Sequence, residues 1–393
     1  MKKIIFLLFI IIFMFGCRNK DIEEVETKEV LNLNINRNLK FEYAKEVDIH
    51  DFINDEDIEI ISKNTKINTF ILGKNKIKIN YKKNNRNLYD EIIYEVVDTT
   101  KPLVLINSSY TVEKGSKIDL VNKVLCADNY DKRPNCYIEG DYNINKIGTY
   151  NLKHIAIDTS GNKTENNFKL KVVNPSKNNQ TNNKPKYNIK DFIKDHKNEK
   201  TSIGIDVSSW QGDIDYNKVK NAGVEFVMIR LGYGHNKSNE LVLDKKFINN
   251  IKNAKKEGLL VGIYFYSYAN TIEKVKEQVN YIIEKLNGEQ LDLPIAFDWE
   301  DWKNFNKYNM SLTDINIIAK TFKEEVLKHG YNSMLYSSKY YLEQIWDEKN
   351  HDVWLAHYTN KTTYKGNYSI WQISNRGRVP GINADVDFDI LYK

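Results

Sequence analysis

Leu293-Pro294-Ile295-Ala296-Phe297-Asp298-Trp299-Glu300 is the stretch on which the fold turns. Read as a strand, its period-two alternation puts Ile295, Phe297 and Trp299 on one face and Ala296, Asp298 and Glu300 on the other. Two carboxylates then share a face, with backbones roughly 6 to 7 Å apart at two strand residues. Packing gives no reason for that pairing, because each acid is desolvated and repelled by the other. The alternatives are a catalytic or binding wall and a strand end dipping into solvent.

The surrounding sequence supplies the context. From Ile203 onward, short apolar segments alternate with amphipathic helical ones, the signature of βα units in a barrel or parallel sheet. Strands are expected at Gly204 to Val207, Phe226 to Leu231, Leu260 to Tyr268, Leu293 to Glu300, Ser333 to Ser337, Val353 to Tyr358 and Ser369 to Ile373. A helix is expected from Ser311 to His329, with Ser311 as N-cap, Asp314 three residues on, and Gly330 as the stop. The same parity recurs elsewhere. Asp206 faces away from Ile205 and Val207, and Tyr264, Tyr266 and Tyr268 share a face opposite Val261 and Ile263. A polar-tipped aromatic face suits a sugar site, where rings stack on pyranoses and hydroxyls bind hydroxyls; it also suits a Tyr-rich core.

These residues carry a family resemblance. The run Gly204-Ile205-Asp206-Val207-Ser208-Ser209-Trp210-Gln211-Gly212 with Ile214-Asp215 comes first. Phe226 to Gly234, Ala296 to Glu300, Trp354-Leu355-Ala356-His357-Tyr358 and Trp371-Gln372 come after it in order. Together they resemble glycoside hydrolase family 25, the Chalaropsis-type lysozymes, over residues 201–393. The resemblance implies an irregular βα barrel and N-acetylmuramidase activity on the β-1,4 bond between N-acetylmuramic acid and N-acetylglucosamine in peptidoglycan. By motif, Glu300 matches the general acid and Asp298 its partner carboxylate, with Asp206 a third acid. In Val386-Asp387-Phe388-Asp389, Asp387 matches the fourth, Asp385 lies two residues earlier, and Asp389 stands where the family commonly has Asn. Tyr264, Tyr266, Trp354, Tyr358, Gln372 and Arg230, in or beside these motifs, are the expected substrate contacts. Charge then suggests a mechanism: ionised Asp298 and Asp206 raise the Glu300 pKa so that it can protonate the leaving oxygen. Whether the substrate's own acetamido group or a water attacks stays open at this level.

The N-terminal half has a different character. A chain of 393 residues exceeds one ordinary core. Lys2 and Lys3 precede an apolar run from Ile4 to Phe15, which ends in Met14-Phe15-Gly16-Cys17. That is the layout of a lipoprotein signal peptide over residues 1–17 with lipidated Cys17, or else of an uncleaved anchor. Either way the rest is expected outside the cytoplasmic membrane, and on the lipoprotein reading it is held at the cell surface by its lipid. Residues 18–29 read as a polar tether and 30–97 as a small β sandwich, with strands at Ile67 to Leu72 and Lys76 to Tyr81. Residues 98–173 resemble bacterial immunoglobulin-like repeats through Asp98-Thr99-Thr100-Lys101-Pro102, Ala127-Asp128-Asn129, Gly148-Thr149-Tyr150 and Ala156-Ile157-Asp158 with Ser160-Gly161-Asn162. Residues 174–200, rich in Asn, Lys, Thr and Pro, read as a flexible linker.

The expected fold class is therefore multidomain: two small all-β Ig-like sandwiches followed by an irregular α/β barrel. Cys126 and Cys136 are free to form a disulfide in an exported domain or to stay unpaired. A net charge of +5 gives no call for nucleic acid. Seven scattered histidines, no GxSxG elbow and no cysteine in the C-terminal half speak against zinc, serine and cysteine hydrolases. No cofactor or metal is expected, and the chain is expected to be a monomer acting on peptidoglycan strands. The competing reading is a non-catalytic glycan-binding surface lipoprotein, which needs aromatic platforms more than clustered acids.

Overall fold

The computed structural model describes residues 33–175, 187–234 and 240–393. The signal peptide, Cys17 and the tether lie outside the described residues. The chain divides into two compact units, Met1–Val97 and Asp98–Lys393.

In the first unit the described strands form one four-stranded sheet, in which the long antiparallel hairpin Gly73–Lys83 and Arg86–Val97 is flanked by Leu39–Glu42 and Glu59–Ile60. One face is buried by alternate residues, Ile79 and Tyr81 from one strand and Leu88, Ile92, Tyr94 and Val96 from the other, under Leu33, Val47, Ile49 and Ile67. The expected sandwich is thus a single sheet covered by loops. The expected strand at Ile67 to Leu72 is one of those loops, apart from its neighbour Lys66, which bridges Asp48. Ile67 and Leu72 pack onto the sheet instead of pairing with it, while Phe70 and Ile71 are exposed.

The second unit opens with two facing sheets. One has four strands, Ser109–Glu113, Asn135–Glu139, Gly148–Ile157 and Lys163–Val173. The other pairs Leu103–Leu105 with Leu125–Ala127. Cys126 and Cys136 are disulfide-bonded, which ties one sheet to the other. This two-sheet part does not stand away from the C-terminal barrel. Leu125 and Ala127 belong to the same buried cluster as the barrel's outer shell, and Leu312 N–H donates to the Asp128 carbonyl at 2.7 Å.

Eight strands close into that barrel: β1 (Thr201–Val207), β2 (Phe226–Gly234), β3 (Leu260–Tyr266), β4 (Ile295–Asp298), β5 (Ser333–Ser338), β6 (Asp352–Ala356), β7 (Ile370–Arg378) and β8 (Val386–Tyr392). Strands β1 to β7 run parallel to their neighbours. Strand β8, which was absent from the expected set, lies antiparallel between β7 and β1 and closes the ring. Its apolar residues Val386, Phe388 and Ile390 alternate with Asp387 and Asp389, so its charged positions masked it as a strand.

Helices α1 (Ile189–His196), α2 (Tyr216–Asn221), α3 (Phe247–Lys256), α4 (Ile272–Leu286), α5 (Leu312–Lys328) and α6 (Lys339–Gln344) complete the domain. The Ser311 and Asp314 side chains cap the start of α5 reciprocally, and Gly330 follows its end at φ +81°. Helix α1 corrects the C-terminal part of the linker expected over 174–200, of which 176–186 lie outside the described residues. Tyr187–Asn188 pairs with β7, and Phe192 is buried, stacked on Phe388 at 4.7 Å between ring centroids. Two or three apolar residues in an Asn- and Lys-rich segment suffice to dock one short helix.

Strand parity separates two cores. Ile295, Phe297 and Trp299 pack outward beneath the helices, whereas Ala296 points into the barrel with Phe226, Met228, Met334, Trp354 and Ile370. Near the floor the backbone must come close: a Cβ on Gly204 would lie 2.2 Å from the Phe226 ring, and one on Gly262 2.5 Å from the Met228 sulfur.

Candidate active site

The inward residues near the carboxyl ends of the parallel strands enclose a cleft of about 170 Å³. Every barrel strand contributes a wall: Asp206 from β1, Arg230 from β2, Tyr264 and Tyr266 from β3, Asp298 from β4 with Glu300 just beyond it, Tyr336 from β5, Trp354 from β6, Gln372 from β7 and Asp387 from β8. Register explains the convergence. Tyr266, Asp298, Tyr336 and Trp354 are successive pairing partners across four strands, and Asp206 is opposite Asp387 where the ring closes.

Nine of the ten residues expected from sequence line this cleft, and the tenth, Tyr358, sits half-exposed beside it. Its hydroxyl and that of Tyr336 both donate to Gln372 Oε1, each at 2.9 Å, while Gln372 Nε2 donates to Asp206 Oδ2 at 2.7 Å. The amide of Gln372 therefore fixes the orientation of Asp206. Trp354, expected as a substrate contact, is 1% exposed and donates its indole N–H to Asp389 Oδ1 at 2.8 Å. It is floor more than stacking platform. Tyr268 is not in the wall but packs edge-on against Tyr266. Asp385 is resolved from Asp387: it pairs with Arg378 at the surface, and Asp387 faces the cleft.

Three further residues shape the site. Tyr336 alternates with buried Leu335 on β5, a parity present in the sequence but not among the expected contacts. Asp389 is fully buried beneath Asp206 and Trp354. Asp244, after the apolar triplet Leu241-Val242-Leu243, accepts from Arg230 Nε at 2.9 Å and from Arg230 Nη2 and Ser209 N–H at 2.7 and 3.0 Å. Arg230 is thus held from outside and presents its remaining surface to the acids.

Five carboxyls in one dry pocket cannot all be charged. Burial raises Asp206 well above the ordinary carboxylate range, and the neighbouring Asp389 and Glu300 add to it. Burial, then Glu300 and Asp206, raise Asp298, while Arg230 opposes them. Asp387 is pushed up to about 9 by burial and by Asp206. Glu300 is raised as well, but by desolvation, not by the ionised Asp298 and Asp206 expected from sequence. Its side chain meets solvent at the cleft mouth while dense protein surrounds it, the situation of a group on a cleft wall. Burial thus shifts the cluster toward its protonated forms, where sequence led us to expect charges. Asp298 Oδ1 is buried with no hydrogen-bond donor among the described residues.

A barrel whose parallel strands aim paired carboxyls and tyrosines into one cleft defines the class of a βα-barrel glycoside hydrolase. Residues 205–382 match the family model of glycosyl hydrolases family 25, and this part of the chain is a domain of that family. An autolytic lysozyme of Clostridium acetobutylicum is 29% identical over 189 residues, which span 47% of this chain and 54% of that protein. Lysozyme M1 of Streptomyces globisporus is 28% identical over 201 residues, 47% of this chain and 65% of its own length. The alignments thus take in just over half of the first relative and about two thirds of the second. A solved family 25 glycosyl hydrolase from Bacillus anthracis aligns at 23% identity and a TM-score of 0.43, covering 50% of this chain and 92% of that one.

Proposed function

We propose that the chain is an N-acetylmuramidase, a lysozyme that cleaves the β-1,4 bond between N-acetylmuramic acid and N-acetylglucosamine in peptidoglycan. The observation that carries this reading is the meeting of Asp298, Glu300, Asp206 and Asp387 in one cleft walled by tyrosines. Glu300, at the mouth and with its carboxyl raised by desolvation, is the proton donor to the leaving oxygen. Asp298 Oδ1, an acceptor with no donor of its own, supports the substrate-assisted route: the N–H of the 2-acetamido group fills that need, and its carbonyl oxygen is then turned toward the anomeric carbon. Arg230 opposes the upward shift of Asp298 and so favours its charged form.

The surface setting belongs to the same proposal. A lipid on Cys17 anchors the chain to the outer face of the cytoplasmic membrane, and the β units, the second of them immunoglobulin-like, act as its stalk. The monomeric enzyme then works on glycan strands within reach of that stalk.

Purified chain assayed in a gel containing bacterial walls is expected to clear a band, and mass spectrometry of the fragments is expected to find muramic-acid reducing ends. Glu300→Gln is expected to lower that release by about 10²–10⁴-fold. Wild-type release by the Gln variant would remove Glu300 from its role; binding to walls without clearing would favour the glycan-binding alternative.

A further inference from the structure

The motifs of the two-sheet unit converge on one point. Asp98 lies in the segment before its first strand, Leu103–Leu105, Asp128 follows the strand Leu125–Ala127, and Asp158 follows Gly148–Ile157. All three are buried, at 7%, 1% and 6% exposure, and the carboxylate oxygens they offer lie within 4.8 Å of one another. The hydrogen-bond donors to them are neutral. Thr100 N–H, Asn129 Nδ2 and Ser160 Oγ donate to Asp98 at 3.3, 3.2 and 3.0 Å. Asn162 donates to Asp158 through its backbone and side-chain nitrogens at 2.8 and 2.9 Å. Tyr130 and Asp131 N–H groups both donate to Asp128 Oδ2, at 2.9 and 2.7 Å.

That arrangement leaves Asp128 Oδ1 buried with no donor among the described residues, and the Oδ1 of its sequence neighbour Asn129 likewise. A buried, unpartnered carboxylate oxygen among two other acids is costly unless a cation neutralises it. The donor set is all hard oxygen, without imidazole or thiolate, which selects calcium over zinc or iron.

We propose that Asp98, Asp128 and Asp158, with Asn129 Oδ1, bind one calcium ion at the joint between the two-sheet unit and the barrel. At this joint Asp128 also offers its backbone carbonyl to the Leu312 N–H at the start of α5, and Lys132, four residues on, pairs with Asp314 at 3.0 Å. The ion fixes the loop from which both contacts are made, so it stiffens the mounting of the barrel independently of the cleft chemistry.

The test is calorimetric titration of CaCl2 into the chelator-stripped full chain, with thermal unfolding followed in parallel. One saturable ion per chain is expected, with a Kd of about 10⁻³ M or tighter, little competition from equimolar Mg²⁺, and a Tm raised by roughly 2 °C or more at saturation. Asp128→Asn and Asp98→Asn are each expected to weaken uptake at least tenfold, whereas Asp206→Asn in the barrel cleft keeps it. Wild-type chain that takes up no calcium overturns the proposal, as does uptake unaffected by both variants or lost in Asp206→Asn. Circular dichroism of each variant guards against reading misfolding as lost affinity, and the wild-type stoichiometry stands without any variant.

Discussion

Asp389 is the acid of the cleft with no exposure at all, and it accepts the Trp354 indole N–H. An asparagine would accept the same bond without a charge to bury. Because burial raises the folded-state pKa of Asp389, the folded protein holds a proton that the unfolded chain releases near pH 4. Its stabilising contribution is therefore complete below that pH and is lost as pH rises through the raised folded value. Asp387, lifted to about 9, behaves in the same sense across the neutral range. Asp389→Asn is expected to raise Tm by about 2 °C or more at pH 8 and by less at pH 5; equal shifts at the two values would sink this account. Single side chains are also where sequence served best and least. Asp206, Asp298 and Glu300 were legible because an acid on an apolar strand breaks its own pattern. The partners of Asp244 and Asp389 were not, because a buried acid is recognised by the group it meets in space.

Among the elements, seven of the eight barrel strands were readable in the sequence; their ends and the eighth strand, Val386–Tyr392, were not. Strand β4 stops at Asp298, so Glu300 belongs to the loop beyond it. What no pattern disclosed is that the barrel floor depends on bare backbone. Gly204→Ala is expected to cost about 1–3 kcal/mol in denaturant unfolding, since its methyl meets Phe226, and Gly204→Ala with Phe226→Leu is expected to recover part of that. An unchanged midpoint for the single variant would show that the ring has room to move. Nearer the N-terminus, Cys126 and Cys136 close a loop of sequence separation 10 between two small sheets. Replacing both with Ser is expected to lower the stability of that unit by about 2–3 kcal/mol, read as a lower midpoint that reducing agent no longer shifts. Sequence left this pairing open, because spacing alone does not say that two strands face each other.

For the chain as a whole, composition misjudged residues 187–200. Asn and Lys dominate there, yet Ile189 and Phe192 are buried and Tyr187–Asn188 adds a strand beside β7. A chain beginning at residue 201 is expected to melt at least about 5 °C below one beginning at 187, by loss of the Phe192 and Ile189 burial. Matching melting curves would return the segment to linker status. The β unit of residues 98–173, expected as a separate sandwich, contributes Leu125 and Ala127 to the barrel's outer cluster.

The antiparallel strand β8 joins both sides of the ring and brings Asp387 opposite Asp206. It is also the last of the eight strands to leave the ribosome. Until it pairs, the cleft lacks a wall and the barrel a seam, so the site stays incomplete until the eighth strand has been made. A barrel assembled in this order completes its cleft in a single late event, the docking of its eighth strand between the first and the seventh.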